Sequence, residues 1–298
     1  MPRSRFIVNP VSGRNRHRPQ LAGDLRTWLS AHGVDGEVLV TEAPGHATAL
    51  AAEAVAQGCE RVVAVGGDGT MNEVARALLH TRVAFGLVPC GSGNGLGRQL
   101  GIRGSLNRTL AILQQGRVIV VDTATAAGHP FVNVMGVGLD AEIARRFNAL
   151  PSRGLQGYVQ TGLRAFFQHR ATPYSLSDGT GWQSTVTAFV VAVANSPEYG
   201  NGARIAPGAQ VDDGQLDLVV VPPVGLGGAV GLAIRMFAGN ITRHPRVLHR
   251  RAAAFTIRRE APGVIHVDGE TREAGAVIEI RVLPLSLRIV VPEGRVVK

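Results

Sequence analysis

Three glycine-rich turns carry the strongest chemical signal in this sequence of 298 residues. They are Asn9–Gly13, Gly66–Thr70 and Gly91–Gly95, and each follows a short apolar run that predicts a buried strand. Glycine lets the backbone approach a phosphate closely, and a helix that follows offers free N–H groups and a positive dipole end. One such turn is an ordinary strand-to-helix connection, but three at successive strand ends predict a phosphate-binding edge.

The turns do not contain the dinucleotide-binding pattern, because Asn72 and Leu96 stand where its last glycine would be. Lysine and arginine number 31 together, and the only lysine is Lys298. P-loop kinases, protein kinases and Schiff-base enzymes each need a lysine in the site, so these classes are excluded. Phosphate charge must therefore be met by backbone N–H groups, arginine and a divalent cation.

Acidic residues that could do chemistry lie at three places. Asp68, inside the second glycine-rich turn, is placed either to ligate Mg²⁺ or to take a proton. Asp212, Asp213 and Asp217 lie within six residues and would repel one another unless solvated or bound to a hard cation. Asp268-Gly269-Glu270, between two strand-like runs, is by itself simply a turn.

The elements that must position these residues alternate between strand and helix over the first 122 residues. Strands are predicted at 5–8, 37–41, 61–65, 84–89 and 118–122, and helices at 19–32, 47–57, 71–80 and 106–114. Thr70 and Glu73 predict a capping box at the start of the third helix. This alternation predicts an α/β domain with a doubly wound, mainly parallel sheet.

The second half of the chain is predicted to be rich in strands. These are expected at 131–137, 185–194, 216–221, 253–258, 264–267, 277–283 and 286–291, with helices at 155–169 and 226–238. The pattern predicts a β-rich, antiparallel sandwich. We therefore expect a catalytic domain at 1–125 and a substrate domain at 126–284, with the tail, about 285–298, returning to the first domain.

The second turn, Gly66–Thr70 followed by Asn72-Glu73, resembles the nucleotide loop of the diacylglycerol kinase catalytic-domain family. That family includes bacterial diacylglycerol kinases, sphingosine kinases and ceramide kinases, and NAD kinase is a more distant relative. Five further segments are similar to motifs of the family: Asn9–Gly13, Thr41–Ala47, Asn133–Ala141, Pro207–Asp217 and Asp268–Glu270. Six motifs in order, from residue 9 to residue 270, extend the resemblance over nearly the whole chain.

The resemblance implies roles for particular residues. It implies ATP binding by Asn9, Ser12, Gly13, Thr41, Gly66, Gly67, Gly69, Thr70, Asn72, Glu73, Gly91, Ser92, Gly93 and Asn94. It makes Glu270 the first candidate for the general base, with Asp68 second. Asp213, with Asp212 and carbonyls near Gln210 and Gln215, would hold a structural Mg²⁺. Asp140 either binds the lipid head group or caps a helix over 141–147.

The function that the resemblance implies is an ATP- and Mg²⁺-dependent lipid kinase. It would transfer the γ-phosphate to a hydroxyl of diacylglycerol or a related lipid. Gly91-Ser92-Gly93-Asn94 is similar to the corresponding motif of sphingosine and ceramide kinases, so an acceptor of that type stays open. NAD kinase and a non-catalytic nucleotide-binding module are the weaker alternatives.

The charge of the chain suggests its partners. The net charge of +9 is compatible with nucleic acid or with an anionic membrane. An aromatic content of 5 % and the lack of a helix-turn-helix or zinc pattern weigh against nucleic acid. Arg235–Arg259 holds seven arginines and no acid, and is either a solvated face or a surface for anionic phospholipids.

Neither a signal peptide nor a membrane-spanning helix is predicted. We therefore expect a cytoplasmic protein that associates peripherally with the inner face of the membrane. The sequence does not report on the oligomeric state, and a homodimer stays open as a partner.

Overall fold

The computed structural model describes residues 3–91, 93–150, 162 and 164–294. The chain divides into two compact units. The first contains Met1–Asp122 and Leu285–Lys298, and the second contains Thr123–Pro284. Two strands, β5 (Arg117–Ala126) and β16 (Val277–Val291), carry the chain from one unit to the other.

The first unit is built on a parallel sheet. Its strands are β1 (Ser4–Val8), β2 (Gly36–Val40), β3 (Arg61–Gly66) and β4 (Ala84–Pro89), in the order β2-β1-β3-β4. The end of β16 pairs in parallel with β4, with Ile289 opposite Phe85. The helices of the first unit are α1 (Leu21–Ala31), α2 (His46–Ala56), α3 (Asp68–Leu78), α4 (Gly95–Gln99) and α5 (Leu106–Gln115).

Helices cover both faces of this sheet. Leu25 of α1 and Leu110 of α5 join Phe6 and Val8 in one apolar cluster. Since side chains alternate along a strand, Ile7 points to the opposite face, and α2 and α3 pack against each other and against β1 and β3. The predicted doubly wound α/β arrangement is confirmed.

The strand order places two of the glycine-rich turns side by side. The chain runs from β1 to β2 on one side of β1 and then to β3 on the other side. The order therefore reverses between β1 and β3, and in open α/β sheets this switch point is where ligands bind. Asn9 follows β1 and Gly67 follows β3, so both turns open at the switch point.

The second unit contains two antiparallel sheets and two described helices. The first sheet has the order β12-β11-β10-β7-β14-β15, and the second contains β16-β13-β8-β9. The bounds are β6 (His129–Phe131), β7 (Val134–Gly138), α6 (Leu139–Asn148), β8 (Thr172–Ser177), β9 (Gln183–Ala188), β10 (Val190–Ala194), β11 (Leu216–Val221), α7 (Leu226–Phe237), β12 (Leu248–Ala252), β13 (Ala254–Arg258), β14 (Gly263–Val267) and β15 (Glu270–Ala274).

One apolar core lies between these two sheets. Met135 and Val193 from the first sheet share a buried cluster with Ile257, Ile278 and Ile280 from the second. This is the predicted antiparallel sandwich, and it is confirmed. Among the described residues, no helix has both the length and the hydropathy needed to cross a membrane.

Several elements differ from the sequence prediction. The single strand predicted at 185–194 is two strands, because the chain leaves β8 at Phe189 and joins β7 and β11 in the other sheet. The two strands predicted at 277–283 and 286–291 form one strand, which continues past Pro284 with Leu285 at a φ of 46°. Part of the helix predicted at 155–169 lies outside the described residues; 164–168 are helical.

Strands β8, β12 and β15 were not predicted from the sequence. β12 and β15 are the edges of the first sheet, and their sequences LHRRA and ETREA are largely polar. Charged side chains are common on edge strands, where they discourage pairing with other chains. Such strands lack the alternation of apolar residues on which strand prediction depends.

A buried arginine ties β1 to its neighbours. The side chain of Arg5 is 2 % exposed and donates to Glu37 Oε1 at 2.6 and 2.8 Å. It also donates to the carbonyl of Leu50 at 2.9 Å and to Gln57 Oε1 at 2.7 Å. The guanidinium therefore links β2 and α2 to the central strand of the first unit.

We expect Arg5→Ala to lower the free energy of unfolding by about 3 kcal/mol, because it removes a buried side chain together with its hydrogen bonds to Glu37, Leu50 and Gln57. The control is Arg18→Ala, since the ion pair of Arg18 with Asp24 is half exposed. The control should change stability by less than about 1 kcal/mol. Urea unfolding of both variants measures the difference, and equal effects would contradict this role of Arg5.

Candidate functional site

The three glycine-rich turns touch one another in the first unit. The N–H of Gly67 donates to Ser12 Oγ at 2.7 Å. Gly13 has a φ of +48°, and a β-carbon there would lie 2.1 Å from the carbonyl oxygen of Cys90. A β-carbon on Gly91 would lie 2.7 Å from the Cα of Gly67. The structure thus brings the predicted phosphate turns together, and their spacing requires glycine.

Asp68 joins the second turn to the third. Its Oδ2 accepts the N–H of Asn94 at 2.8 Å, and its Oδ1 accepts the N–H of Gly95 at 2.8 Å. These N–H groups begin α4, so the carboxylate caps that helix. Burial raises the pKa of Asp68, and the two backbone N–H groups oppose that shift. Both oxygens of Asp68 are therefore occupied in holding the third turn.

Three asparagines complete the turns. Asn94 accepts the N–H of Gly91 at 3.0 Å and donates to the Gly91 carbonyl at 2.7 Å. Asn9 donates to Thr70 Oγ1 at 3.0 Å, which links the first turn to the second. Asn15, which was not predicted, donates to the carbonyls of Asn9 and Val65 at 2.8 and 3.1 Å. The switch point is therefore held by side-chain amides.

The predicted capping box of Thr70 and Glu73 is wrong. Helix α3 begins at Asp68, two residues before Thr70, so Thr70 is not its N-cap. Glu73 accepts the N–H groups of Gly45 and Ala47 at 3.0 and 3.1 Å, and therefore caps α2. The spacing of Thr70 and Glu73 fits a capping box, but the neighbouring helix offers unpaired N–H groups that the glutamate reaches instead.

The remaining predicted nucleotide residues have different surroundings. Thr41 is buried and its N–H donates to the Val8 carbonyl at 2.9 Å, at the end of β1. Asn72 is buried, and its Nδ2 has no hydrogen-bond partner among the described residues. Gly66 ends β3, a β-carbon on Gly93 would lie 2.6 Å from Asp68 Oδ2, and Gly69 faces open space. Ser92 lies outside the described residues.

In the second unit, Asp268 anchors the turn that carries Glu270. Its carboxylate accepts the N–H groups of Val132, Asn133 and Val134 at 2.7, 2.8 and 3.0 Å. Burial raises the pKa of Asp268 to about 6, although the three N–H groups oppose the shift. The φ of Asp268 is 51°, and Gly269 follows at 81°. The carboxylate thus fixes a tight turn against the start of β7.

Glu270 is the first residue of β15 and is more accessible than Asp268. Its side chain is 25 % exposed, and Arg272 Nη2 donates to Glu270 Oε2 at 2.7 Å. Glu270 and Arg272 lie two residues apart on one face of the strand. The carboxylate is therefore oriented by an arginine while part of it still reaches solvent.

Asp140 belongs to a polar cluster beside this turn. Its Oδ2 accepts from Tyr199 Oη at 3.1 Å and contacts His266 Nε2 at 3.1 Å. Its Oδ1 accepts the N–H of Ala141 at 2.8 Å. On the other side of the ring, Gly269 N–H donates to His266 Nδ1 at 3.4 Å. Helix α6 begins at Leu139 with Gly138 as its N-cap, so Asp140 is not the N-cap residue. Its side chain nevertheless accepts one N–H of the first turn, that of Ala141.

The acidic loop is paired with the edge strand β12. Asp213 forms an ion pair with Arg251, and its Oδ1 accepts the N–H of Gln215 at 3.0 Å. Asp217 is buried and lies 2.6 Å from His249 Nε2. Arg251 thus balances acidic charge of the loop, and His249 of the same strand is hydrogen-bonded to Asp217.

In the described structure Asp213 is paired with Arg251, while Asp212 and Gln210 are exposed. No group of three or more His, Cys, Asp or Glu is placed to hold a metal in the described part of the chain. The structural magnesium site at Asp213, Asp212, Gln210 and Gln215 stays a prediction.

Several of these residues were missed because their partners are distant in sequence. His266 and Tyr199 lie 126 and 59 positions from Asp140, and Arg251 lies 38 positions from Asp213. Only the pairing of β11 with β12, which sets Asp217 opposite Arg251, brings the acidic loop to its arginine. Arg272 had a local signal, since it lies two residues from Glu270 in a strand.

The raised pKa of Asp268 predicts a pH dependence of stability. The pKa of Asp268 is about 6 in the folded chain, against an ordinary value of 3.8. Because the folded chain binds this proton more tightly, the stabilisation is complete below about pH 4 and is lost as pH rises through about 6. The unfolding free energy of the native chain should therefore fall, relative to that of Asp268→Asn, by at most about 3 kcal/mol over this range.

Urea unfolding at a series of pH values measures this difference. Asp212→Asn, at an exposed position of the same unit, is the control for loss of a carboxylate. A difference that grows as pH rises would mean that the three N–H groups outweigh burial, and would contradict the prediction.

Two family models match this chain. The diacylglycerol kinase catalytic domain matches residues 3–126. The model described as the YegS C-terminal NAD kinase beta sandwich-like domain matches residues 133–291. The first match contains the three glycine-rich turns, and the second contains Asp140, the acidic loop and Glu270.

Relatives and solved structures agree with these matches. The diacylglycerol kinase of Bacillus subtilis (strain 168) is 28 % identical over 279 residues, which cover 91 % of this chain and 90 % of that protein. The crystal structure of a diacylglycerol kinase from Bacillus anthracis has a TM-score of 0.75 at 22 % identity, covering 99 % of this chain and 98 % of the other.

An NAD kinase from Archaeoglobus fulgidus, solved in complex with ATP, has a TM-score of 0.55 at 13 % identity and covers 98 % of this chain and 94 % of that one. At these identities the structural likenesses report on the fold alone. The two family models together extend over nearly all of the described residues, and their order is that of the two units. The chain belongs to the diacylglycerol kinase catalytic-domain family.

Proposed function

We propose that this chain is a lipid kinase that transfers the γ-phosphate of ATP to a hydroxyl of diacylglycerol or a closely related lipid. Membership of the family makes it a phosphotransferase with an alcohol acceptor. The observation that carries the proposal is the meeting of three glycine-rich turns at the switch point of a parallel sheet. The second unit of the same chain presents a partly exposed glutamate on an anchored turn.

The first unit binds the nucleotide through its backbone. The start of α3 at Asp68 directs free N–H groups toward the opening between the turns. Gly69 has nothing within 4 Å of where a β-carbon would lie, so a phosphate could approach the backbone there. Mg²⁺ that arrives with ATP would neutralise phosphate charge, as phosphoryl transfer generally requires.

The second unit supplies the base. Glu270 takes the proton from the acceptor hydroxyl while that oxygen bonds to the γ-phosphorus and the bond to the β–γ bridging oxygen breaks. ADP leaves with the electron pair of that broken bond, so charge and atoms balance. Arg272 and the turn held by Asp268 orient the glutamate. Asp68 is the weaker candidate for the base, because both of its oxygens already accept backbone N–H groups.

Asp140 bears on the choice of acceptor lipid. Its carboxylate is contacted by the Ala141 N–H, the Tyr199 hydroxyl and the His266 ring. A carboxylate with three such contacts has little need of a further cation. This observation favours an uncharged acceptor such as diacylglycerol over a sphingoid base, whose ammonium group would seek an unpaired carboxylate.

A cleft of about 550 Å³ in the second unit could take part of the acceptor. Its lining combines Ala141, Tyr174 and Val264 with charged side chains, among them Arg146 and Arg259. This volume lies in the range of small-molecule sites. The acceptor resides in a bilayer, so the proposal includes a cytoplasmic enzyme that works at the surface of a membrane.

Replacing Gly69 should separate nucleotide binding from folding. Gly69→Ala places a methyl group where the proposed phosphate lies, and we expect ATP affinity to fall by about tenfold or more. Stability without ATP should not fall, because alanine is the better helix former and the space is open. Gly23→Ala is the matched control, since Gly23 also lies in a helix with open space around it.

Calorimetric titration with MgATP and thermal unfolding measure these two properties. If Gly69→Ala binds ATP as tightly as Gly23→Ala does, then no phosphate approaches the backbone at Gly69 and this part of the proposal fails.

Replacing Glu270 tests the catalytic role. Glu270→Gln keeps the size of the side chain but cannot take a proton, so we expect kcat to fall by about 10²-fold or more. Glu273→Gln, an exposed position on the same strand, should keep near-native turnover. The assay measures transfer from labelled ATP to diacylglycerol in mixed micelles. Near-native turnover by Glu270→Gln would exclude Glu270 as the base.

A further inference from the structure

Helix α7 leaves a stripe of large apolar side chains in solvent. Leu226, Val230, Ile234 and Phe237 are 48, 53, 64 and 59 % exposed. Their spacing of four, four and three residues places them on one face of the helix. They are four of the ten large apolar side chains that are exposed in the described part of the chain. Exposed apolar groups gathered in this way mark an interaction surface.

The opposite face of α7 is packed against the second unit. Leu232 is 5 % exposed and shares a cluster with Val134, Ala192 and Val219. Val134, Ala192 and Val219 lie on the β7, β10 and β11 strands of the first sheet. The helix is therefore seated on the sheet, and the stripe is a fixed feature of its outer surface.

The charged residues that flank the stripe in the sequence are all positive. No Asp or Glu occurs between Asp217 and Glu260, and seven arginines lie in Arg235–Arg259. Arg235 lies in the last turn of α7, about 100° around the helix from Ile234 and so beside the stripe rather than in it. Arg243 follows six residues after Phe237 in the sequence. Neither arginine has an ion-pair partner among the described residues.

Four of the other five arginines in this group serve other contacts. Arg250 pairs with Asp178 and Arg251 with Asp213. Arg246 donates to the carbonyl of Pro223, and Arg259 donates to the carbonyls of Gly263 and Ala274. Arg258 lies on β13 in the second sheet, whereas α7 packs against the first. The cationic surface considered over Arg235–Arg259 is thus narrowed to Arg235 and Arg243.

We propose that the α7 stripe is a docking face for a bilayer that contains anionic phospholipids. Leu226, Val230, Ile234 and Phe237 enter the interface between head groups and acyl chains, while Arg235 and Arg243 bind the anionic head groups. An amphipathic helix that is rich in apolar residues and bordered by arginine lies in a membrane surface in this way.

Charge also decides between a bilayer and a second copy of the chain. Joining two copies through this face would bring together two segments that carry arginine and, between Asp217 and Glu260, no acid. Such a contact places like charges opposite each other, which opposes association. An anionic bilayer meets both the apolar and the cationic parts of the surface.

Vesicle binding without ATP or diacylglycerol tests this proposal independently of the kinase reaction. The probes are vesicles of phosphatidylcholine alone and of phosphatidylcholine mixed with phosphatidylglycerol. We expect the native chain to prefer the anionic vesicles. The double variant Ile234→Ser with Phe237→Ser should bind them at least about tenfold more weakly. Val277→Ser removes an exposed valine from another surface of the unit and should bind normally.

The arginines give a second, separable effect. Arg235→Gln with Arg243→Gln should weaken binding to anionic vesicles by about fivefold per charge, and added salt should weaken the native chain similarly. Binding to phosphatidylcholine vesicles should not change. Arg281→Gln, at a 71 % exposed side chain outside this surface, is the matched control.

Activity distinguishes this proposal from the proposed function. On a water-soluble, short-chain diacylglycerol, the Ile234→Ser with Phe237→Ser variant should keep the native rate, whereas on diacylglycerol in anionic vesicles its rate should fall. An inactive native chain that still binds vesicles through α7 would refute the kinase proposal alone. Equal vesicle binding by the native chain and this variant would refute the docking face.

Two further outcomes also decide the question. Fluorescence of Ile234→Trp should shift to the blue on anionic vesicles and be quenched by brominated lipid, and the absence of both changes would contradict insertion. Light scattering reports on self-association. If the serine substitutions abolished a dimer but left vesicle binding intact, the stripe would be a contact between copies and the proposal would be wrong.

Discussion

The first unit depends on one close contact, the approach of three backbone turns at the ends of β1, β3 and β4. Gly13 and Gly91 are needed because a β-carbon at either would overlap backbone atoms of a neighbouring turn. The carboxylate of Asp68 then holds the third turn against the second through two backbone N–H groups. With the turns fixed, the start of α3 keeps its own free N–H groups for an anion.

The second unit repeats this use of a carboxylate. Asp268 accepts three backbone N–H groups near the start of β7 and so sets the turn that carries Glu270. In each unit one aspartate, Asp68 in the first and Asp268 in the second, holds the backbone of a turn in place, and burial raises the pKa of both. The side chain left for chemistry is Glu270, which reaches solvent and is oriented by Arg272. We prefer Glu270 over Asp68 as the base because both oxygens of Asp68 already accept backbone N–H groups, whereas the Glu270 carboxylate is partly exposed.

Much of this organisation was visible in the sequence, because it depends on local patterns. Alternating apolar runs and glycine-rich turns predicted the parallel sheet, and the resemblance of six motifs to those of a known family indicated the family. Contacts between distant residues were not visible: Glu73 caps the neighbouring helix α2, His266 meets Asp140, and Arg251 meets Asp213. The edge strands β12 and β15 were missed since their polar sequences do not alternate. The exposed side of α7 appeared only when the packing of Leu232 fixed the orientation of the helix.

The most direct test of the central claim is a comparison of acceptors with the native chain. The protein is incubated with labelled ATP and Mg²⁺, and with diacylglycerol, ceramide, a sphingoid base or NAD supplied separately, and the labelled products are resolved. The account predicts phosphate on diacylglycerol, with little or none on the sphingoid base or NAD. Transfer chiefly to the sphingoid base would contradict the inference drawn from Asp140, and no transfer to any lipid would contradict the proposal of a lipid kinase.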